Sequence, residues 1–133
     1  MDQDSHSDAA AACSDLARRF CFAADEGDPD AVASLFSVQG VFEREGLTVR
    51  GRESILAMVR TRAPDLVTRH HLTTSRIETS GPDAASGRHY CIVYASGGEH
   101  DPTRPMVREY RDTYVREDGQ WVIARRHVIT PFP

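Results

Sequence analysis

Residues 107–133 read VREYRDTYVREDGQWVIARRHVITPFP and contain the best short hairpin signal in the chain. Two runs rich in β-branched and aromatic residues, 107–117 and 121–130, flank the dipeptide Asp118-Gly119. A DG pair between two such runs is among the strongest short-range signals for a two-residue β-turn. The sequence therefore predicts an antiparallel hairpin.

Alternate residues of each predicted strand share one face, because extended side chains point in opposite directions. One face of the first strand carries Arg108, Tyr110, Asp112, Tyr114 and Arg116. In the second strand one face carries Trp121, Ile123, Arg125, His127 and Ile129, and the other carries Val122, Ala124, Arg126 and Val128. Charges are rarely buried without partners, so these mixed faces are unlike a plain core. We expect the hairpin to form the wall of a partly polar cavity.

Composition and charge exclude several classes of protein. A chain of 133 residues, 40% apolar and 27% charged, is typical of a single globular domain. It contains no run of 18 apolar residues, so no membrane partner is expected. The net charge is −4 and the arginines are spread along the chain, which argues against nucleic-acid binding.

The cysteines and the N-terminus indicate a cytoplasmic location. Three cysteines are an odd number and do not form a disulfide framework. Cys13 and Cys21 lie eight residues apart on a predicted helix, about 12 Å along its axis and beyond disulfide reach. Cys91 is interpreted as a small core residue. The first residues are acidic and lack the pattern of a secretory signal.

The chain order predicts an α+β fold in one domain, residues 9–133, after a disordered tail, residues 1–8. The first helix runs to about residue 26, Asp28 caps a short second helix, and the third covers 53–62. Strands follow the helical part, and the predicted strands are 41–44, 47–50, 68–79, 84–95 and the two strands of the hairpin. A glycine- and proline-rich loop, residues 96–105, is predicted to act as a lid or cavity rim.

Three passages are similar to a known family. They are FAADEGDPDAVASLF at 22–36, TRHHLTTSRIE at 68–78 and EYRDTYVREDGQWVIARRHV at 109–128. Together they resemble the SnoaL-like group of the nuclear transport factor 2-like superfamily over roughly residues 10–130. The resemblance implies a cone-shaped α+β barrel in which three N-terminal helices pack in a strongly curved antiparallel sheet. It also implies a homodimer through the outer sheet face. The fold hosts dehydratases, dehydrochlorinases, isomerases, cyclases and non-catalytic binding proteins, so function depends on the site.

The resemblance is closest to the dehydratase and hexachlorocyclohexane dehydrochlorinase branch. It implies three catalytic residues, Asp25, His70 and Arg126. The chain departs from scytalone dehydratase at Ala24, where that enzyme has a tyrosine. It departs from the ketosteroid isomerases at Phe20 and Arg44, in place of their oxyanion tyrosine and base aspartate, although Asp112 matches their second acid.

These residue types suit proton abstraction followed by elimination. A neutral histidine is an effective base near pH 7, and a carboxylate on one ring nitrogen fixes its tautomer. An arginine stabilises developing negative charge. We therefore predict a cofactor-independent, dehydratase-type lyase acting on a small apolar molecule, with no metal because no ligand-type spacing is present. In the competing interpretation, Asp25 caps or salt-bridges the helix end and His70 is a core histidine.

Four further residues are predicted to contact the substrate: Asp112, Tyr114, Phe20 and Trp121. Asp112 and Tyr114 could equally belong to an ion-pair ladder on the outer sheet face, and Trp121 could pack in the core. His71 is expected to point outward unless a bulge exchanges it with His70.

Two other functions stay open: a non-catalytic small-ligand carrier, and an isomerase or polyketide-type cyclase that uses Asp112. An open void beside His70 favours the lyase, whereas a void filled by aromatic side chains favours the carrier. The four aromatics concerned are Phe20, Phe36, Phe42 and Trp121.

Overall fold

The computed structural model describes residues 3–133, which form helices on one side of a single curved sheet. The elements in chain order are α1 (Gln3–Asp25), α2 (Pro29–Ser34), β1 (Phe36–Arg44), β2 (Leu47–Arg50), α3 (Arg52–Arg60), β3 (Val67–Gly81), β4 (Ala84–Ser96), β5 (Met106–Glu117) and β6 (Gln120–Ile129). The α+β class and the three N-terminal helices are confirmed.

The six strands lie in the order β2-β1-β6-β5-β4-β3, and β2 and β3 form the two edges of an unclosed sheet. All neighbouring strands are antiparallel except β1 and β6, which run parallel. The predicted curved antiparallel sheet is therefore confirmed, with one parallel pairing that the sequence did not predict. β1 and β6 are far apart in sequence, so no hairpin turn forces them to run in opposite directions.

The β5–β6 hairpin has the predicted two-residue turn. Asp118 and Gly119 both have positive φ, 50° and 77°, as a tight turn matched to strand twist requires. A register shift between Thr113 and Tyr114 interrupts the ladder. Because of this bulge Ile123 and Arg126, predicted on opposite faces of the strand, are both fully buried.

The first helix begins earlier than predicted. α1 starts at Gln3, so residues 3–8 of the predicted disordered tail are helical, while residues 1 and 2 lie outside the described residues. Asp4 lies in the first turn, where a negative charge complements the helix dipole. The His6 ring also hydrogen-bonds Thr79 of β3, which ties this first part of the helix to the sheet edge.

The core lies between the helices and the concave face of the sheet. Cys13, Leu16, Ala17 and Phe20 form one buried stripe along α1. Phe20 and Phe36 meet edge to face with ring centroids 6.4 Å apart. The core also includes Phe42, Ile55, Tyr114 and Ile123.

Two other features bear on the environment of the protein. No helix within residues 3–133 is long and apolar enough to cross a membrane. All three cysteines are buried and free, and burial raises the pKa of Cys13 to about 12.

The homodimer stays a prediction. The outer face of β4, through which it would form, exposes 41% of Tyr90 and 43% of Tyr94.

Candidate active site

Asp25 and His70 meet where the end of α1 crosses β3. Oδ1 of Asp25 lies 2.5 Å from Nδ1 of His70, and both side chains are 13% exposed. The same carboxylate accepts a hydrogen bond from the Thr68 hydroxyl at 2.9 Å and from the His70 backbone N–H at 3.0 Å. With these contacts Asp25 fixes the histidine ring and also fastens β3 to the helix end.

The bond to Asp25 determines what the other ring nitrogen can do. A carboxylate only accepts hydrogen bonds, so Nδ1 of His70 carries the proton. Nε2 is then the unprotonated nitrogen of the neutral ring. Nε2 makes no hydrogen bond to any of residues 3–133, so it is free to accept a proton from a ligand.

His70 lines a cavity of about 370 Å³, called here the main cavity. This volume lies within the usual range of small-molecule sites. Apolar side chains form much of its wall: Phe20, Phe42, Val93, Met106, Tyr110 and Val128. Asp25 does not line this cavity, but together with His70 it lines a smaller one of about 120 Å³, so the imidazole borders both.

Arg126 does not line the main cavity. Its side chain is fully buried, with Nε 2.9 Å from Oδ1 and Nη2 2.7 Å from Oδ2 of Asp112. The guanidinium lies between the rings of Phe20 and Tyr110, 4.3 and 4.1 Å from their centroids. Those two rings line the main cavity and Arg126 lies behind them. Of the three residues expected to converge on one cavity, only His70 lines the main cavity; Asp25 is bound to its ring, and Arg126 is not part of the lining.

Asp112 and Tyr114 belong to a buried polar network on the far side of those rings. The Tyr114 hydroxyl donates to Oδ2 of Asp112 at 2.7 Å. Because a hydroxyl has one proton, Nε2 of His89, 2.8 Å away, donates to Tyr114, and Nδ1 accepts from the Ser75 hydroxyl at 2.8 Å. A Cβ at Gly87 would come within 2.8 Å of Tyr114, so glycine leaves room for this tyrosine. Neither Asp112 nor Tyr114 lines the main cavity.

His89 was not predicted as part of any site. It reaches the network because β4 and β5 pair with His89 opposite Tyr110 and Gly87 opposite Asp112. The alternation of His89 with the buried residues Cys91 and Val93 places it on the concave face. This alternation in the sequence is the signal from which the burial of His89 could be predicted.

Burial should make the stability of the protein sensitive to acid through His89. Desolvation lowers the pKa of His89 from an ordinary 6.5 to about 4, with Asp112 opposing the shift and Arg126 adding to it. The unfolded chain therefore binds more protons below pH 6.5, and stability falls as the pH drops from about 6.5 toward 4. Between pH 7.5 and 5.0 we expect the free energy of unfolding to fall by about 2 kcal/mol because of this residue.

Urea unfolding at the two pH values measures this cost. His89→Gln should show a smaller loss between pH 7.5 and 5.0 than the parent protein. His71→Gln, a change at an exposed ring, should leave the loss unchanged. Equal pH dependence in the parent and His89→Gln contradicts the assignment.

The remaining predicted positions are divided. Phe20 lines the main cavity, as expected of a substrate contact. Trp121 does not; it borders a separate groove with Ser5, Asp8 and Arg116 and packs half-buried against the core.

His71 is exposed with its ring 5.9 Å from that of Tyr94, so it points outward as predicted. The β3 bulge lies after Leu72 and does not exchange the two histidines. Within residues 3–133 no three His, Cys, Asp or Glu side chains converge as metal ligands would.

The chain is similar to several known proteins. The model of the SnoaL-like domain matches residues 5–127, and a comparison with curated proteins gave no significant match. A point variant of Rv3472, a protein of unknown function from Mycobacterium tuberculosis, is 28% identical with a TM-score of 0.79, over 89% of this chain and 69% of that one. A hexachlorocyclohexane dehydrochlorinase, LinA type 2, is 20% identical with a TM-score of 0.79, over 92% and 84%. A putative scytalone dehydratase from Novosphingobium aromaticivorans is 21% identical with a TM-score of 0.76, over 92% and 83%.

Proposed function

Since the chain belongs to the SnoaL-like domain family, we propose that it is a cofactor-independent lyase that eliminates water or halide from a small organic molecule. The observation that carries the proposal is the Asp25–His70 pair beside the main cavity. His70 presents an unprotonated nitrogen and Asp25 holds the ring from the other side. The fold shared with a named dehydrochlorinase and a named putative dehydratase supports the same class of reaction.

In the proposed reaction Nε2 of His70 removes a proton from a carbon of the substrate. The electrons of that C–H bond form a carbon–carbon double bond, and the bond from the neighbouring carbon to the leaving group breaks. The imidazolium that results is stabilised by Asp25, 2.5 Å from Nδ1. Its Nε2 proton can then pass to a departing hydroxide, which leaves as water, or to solvent when a halide departs.

Two observations favour elimination over the other two functions. Asp112 is engaged by Arg126 and Tyr114 and does not line the main cavity, so an isomerase or cyclase that uses Asp112 has less support. The void beside His70 is open, with Phe20 and Phe42 on its wall and Trp121 elsewhere. A cavity with a placed base has more support as a catalytic site than as a passive carrier.

A screen of chlorinated and hydroxylated ring compounds tests the proposal, with chloride release and absorbance of the new double bond as measurements. For a compound that turns over, His70→Ala should lower kcat by roughly 10²–10⁴-fold, because a general base contributes about that much. His71→Ala is the matched control, since its ring is exposed on the opposite face, and should keep full activity. Elimination from no compound, or equal kcat in His70→Ala and the parent, contradicts the proposal.

A further inference from the structure

Arg108 is a second arginine on the concave face of the sheet, and it has no acidic partner. It lies on β5, is half-buried, and lines the main cavity together with His70. Its Nη1 donates to the Val107 carbonyl at 3.0 Å and its Nη2 lies 3.3 Å from the Met106 sulfur. No carboxylate among residues 3–133 forms an ion pair with it.

Comparison with Arg126 makes the difference plain. The guanidinium of Arg126 on the neighbouring strand β6 is neutralised by both oxygens of Asp112 and enclosed by two rings. The charge of Arg108 is left uncompensated at the wall of a cavity. A partly desolvated guanidinium gains most from an anion that it can bind with two parallel hydrogen bonds.

The lining of the main cavity as a whole has more basic than acidic side chains. It contains three arginines, Arg44, Arg62 and Arg108, against one carboxylate, Glu45. Arg62 already donates to the carbonyls of Ala24 and Leu66, the latter at 2.9 Å, and so holds the chain around the end of α1. Arg44 is exposed, which leaves Arg108 as the half-buried guanidinium available to a bound molecule.

The strand register sets the separation between Arg108 and the base. His70 of β3 is opposite Val93 of β4, and Arg108 of β5 is opposite Cys91. Their Cα atoms are therefore two strands apart, about 10 Å across the sheet and about 7 Å along it. Both side chains extend over the cavity, so a molecule of one or two rings can contact both. Val93 lies between them and supplies an apolar floor.

We propose that the main cavity binds a small organic acid, with its carboxylate on Arg108 and its apolar body against Phe20, Val93 and Val128. The bound acid presents a C–H group to His70. This inference rests on the proposed function for its choice of cavity, and it assigns the substrate class that the elimination uses. It refines the sequence-based expectation of a small, fairly apolar substrate, because one end of the molecule is charged.

Matched pairs of carboxylates and their neutral amides test the charge requirement. The probes are benzoate and benzamide, cinnamate and cinnamamide, and 2-naphthoate and 2-naphthamide, at equal ionic strength, measured by thermal shift and calorimetry. At least one carboxylate should bind about tenfold more tightly than its amide, as expected for hydrogen bonds to a charged group.

Substitutions then locate the anion. Arg108→Gln should abolish the preference for the carboxylate, and Arg108→Lys should retain part of it because the charge remains. Arg111→Gln is the matched control, since Arg111 lies on the outer face of the same strand, bound to Glu109 at 2.6 Å, and should keep the full preference. The melting temperature without a probe shows that each variant folds.

Three results overturn the proposal. They are equal binding of every carboxylate and its amide, an unchanged preference in Arg108→Gln, and stabilisation by sodium chloride equal to that by the carboxylates, which indicates a halide site instead. His70→Ala separates this inference from the proposed function. It should lose turnover and keep the preference for the carboxylate, so failure of either claim is seen without the other.

Discussion

Replacing Arg126 by methionine is expected to lower the free energy of unfolding by about 3–5 kcal/mol, because the change leaves Asp112 buried without its charge partner. Methionine is similar in length and apolar, so the rings of Phe20 and Tyr110 keep a neighbour. The loss therefore reports mainly the uncompensated carboxylate. The Tyr114 hydroxyl still donates to Asp112, but one neutral donor does not replace a bidentate guanidinium.

Two companion variants separate the charge effect from packing. Arg126→Met combined with Asp112→Asn should recover part of the lost stability, since removal of both charges leaves no buried ion unpaired. Arg125→Met is the neighbouring control: Arg125 pairs with Glu43 at 2.7 Å but is 52% exposed, and a surface pair contributes at most about 1 kcal/mol. Urea unfolding measures all three variants. Equal losses in Arg126→Met and Arg125→Met contradict the argument.

The same pair of arginines shows how far sequence reasoning extends in this hairpin. The Asp118-Gly119 turn was predictable, and an unbroken register from that turn places Arg125 opposite Asp112. The bulge between Thr113 and Tyr114 places Arg126 there instead. A one-residue shift is invisible in alternation patterns, and it decides which arginine is buried in the core and which is exposed.

Contacts between distant strands were less accessible to prediction. The approach of His89 to Tyr114 depends on the β4–β5 register, and an intervening loop as long as residues 97–105 does not fix that register. Asp25 and His70 were paired through the family resemblance, because nothing in either segment alone determines that α1 ends over β3. Only the structure shows that Arg108 has no charge partner, because a sequence shows which charged residues exist and not which of them form ion pairs.

Replacing Asp25 by asparagine is expected to reduce kcat about as much as His70→Ala, by roughly 10²–10⁴-fold. The Asn oxygen is expected to keep the bond that Oδ2 of Asp25 accepts from the backbone N–H of His70, because the reverse orientation would place the amide N–H group against that backbone N–H. The amide N–H group then takes the place of Oδ1 and faces Nδ1. Nδ1 must then accept, so the ring proton moves to Nε2 and the histidine can no longer take a proton from the substrate. Spectra of ¹⁵N-labelled histidine test this exchange of the protonated nitrogen directly and need no substrate.

The double variant Asp25→Asn with His70→Ala distinguishes a shared role from two separate ones. If Asp25 acts only through the tautomer and charge of His70, the double variant should be no slower than either single variant, because residues acting as one unit are not additive. Thr68→Val is the matched control. It removes a 2.9 Å hydrogen bond to Asp25 but leaves the bond to His70, so kcat should fall far less. A double variant whose loss is the product of the single losses contradicts a role of Asp25 that acts through His70. A neutral His70 in Asp25→Asn with the proton still on Nδ1 contradicts the predicted exchange of the protonated nitrogen.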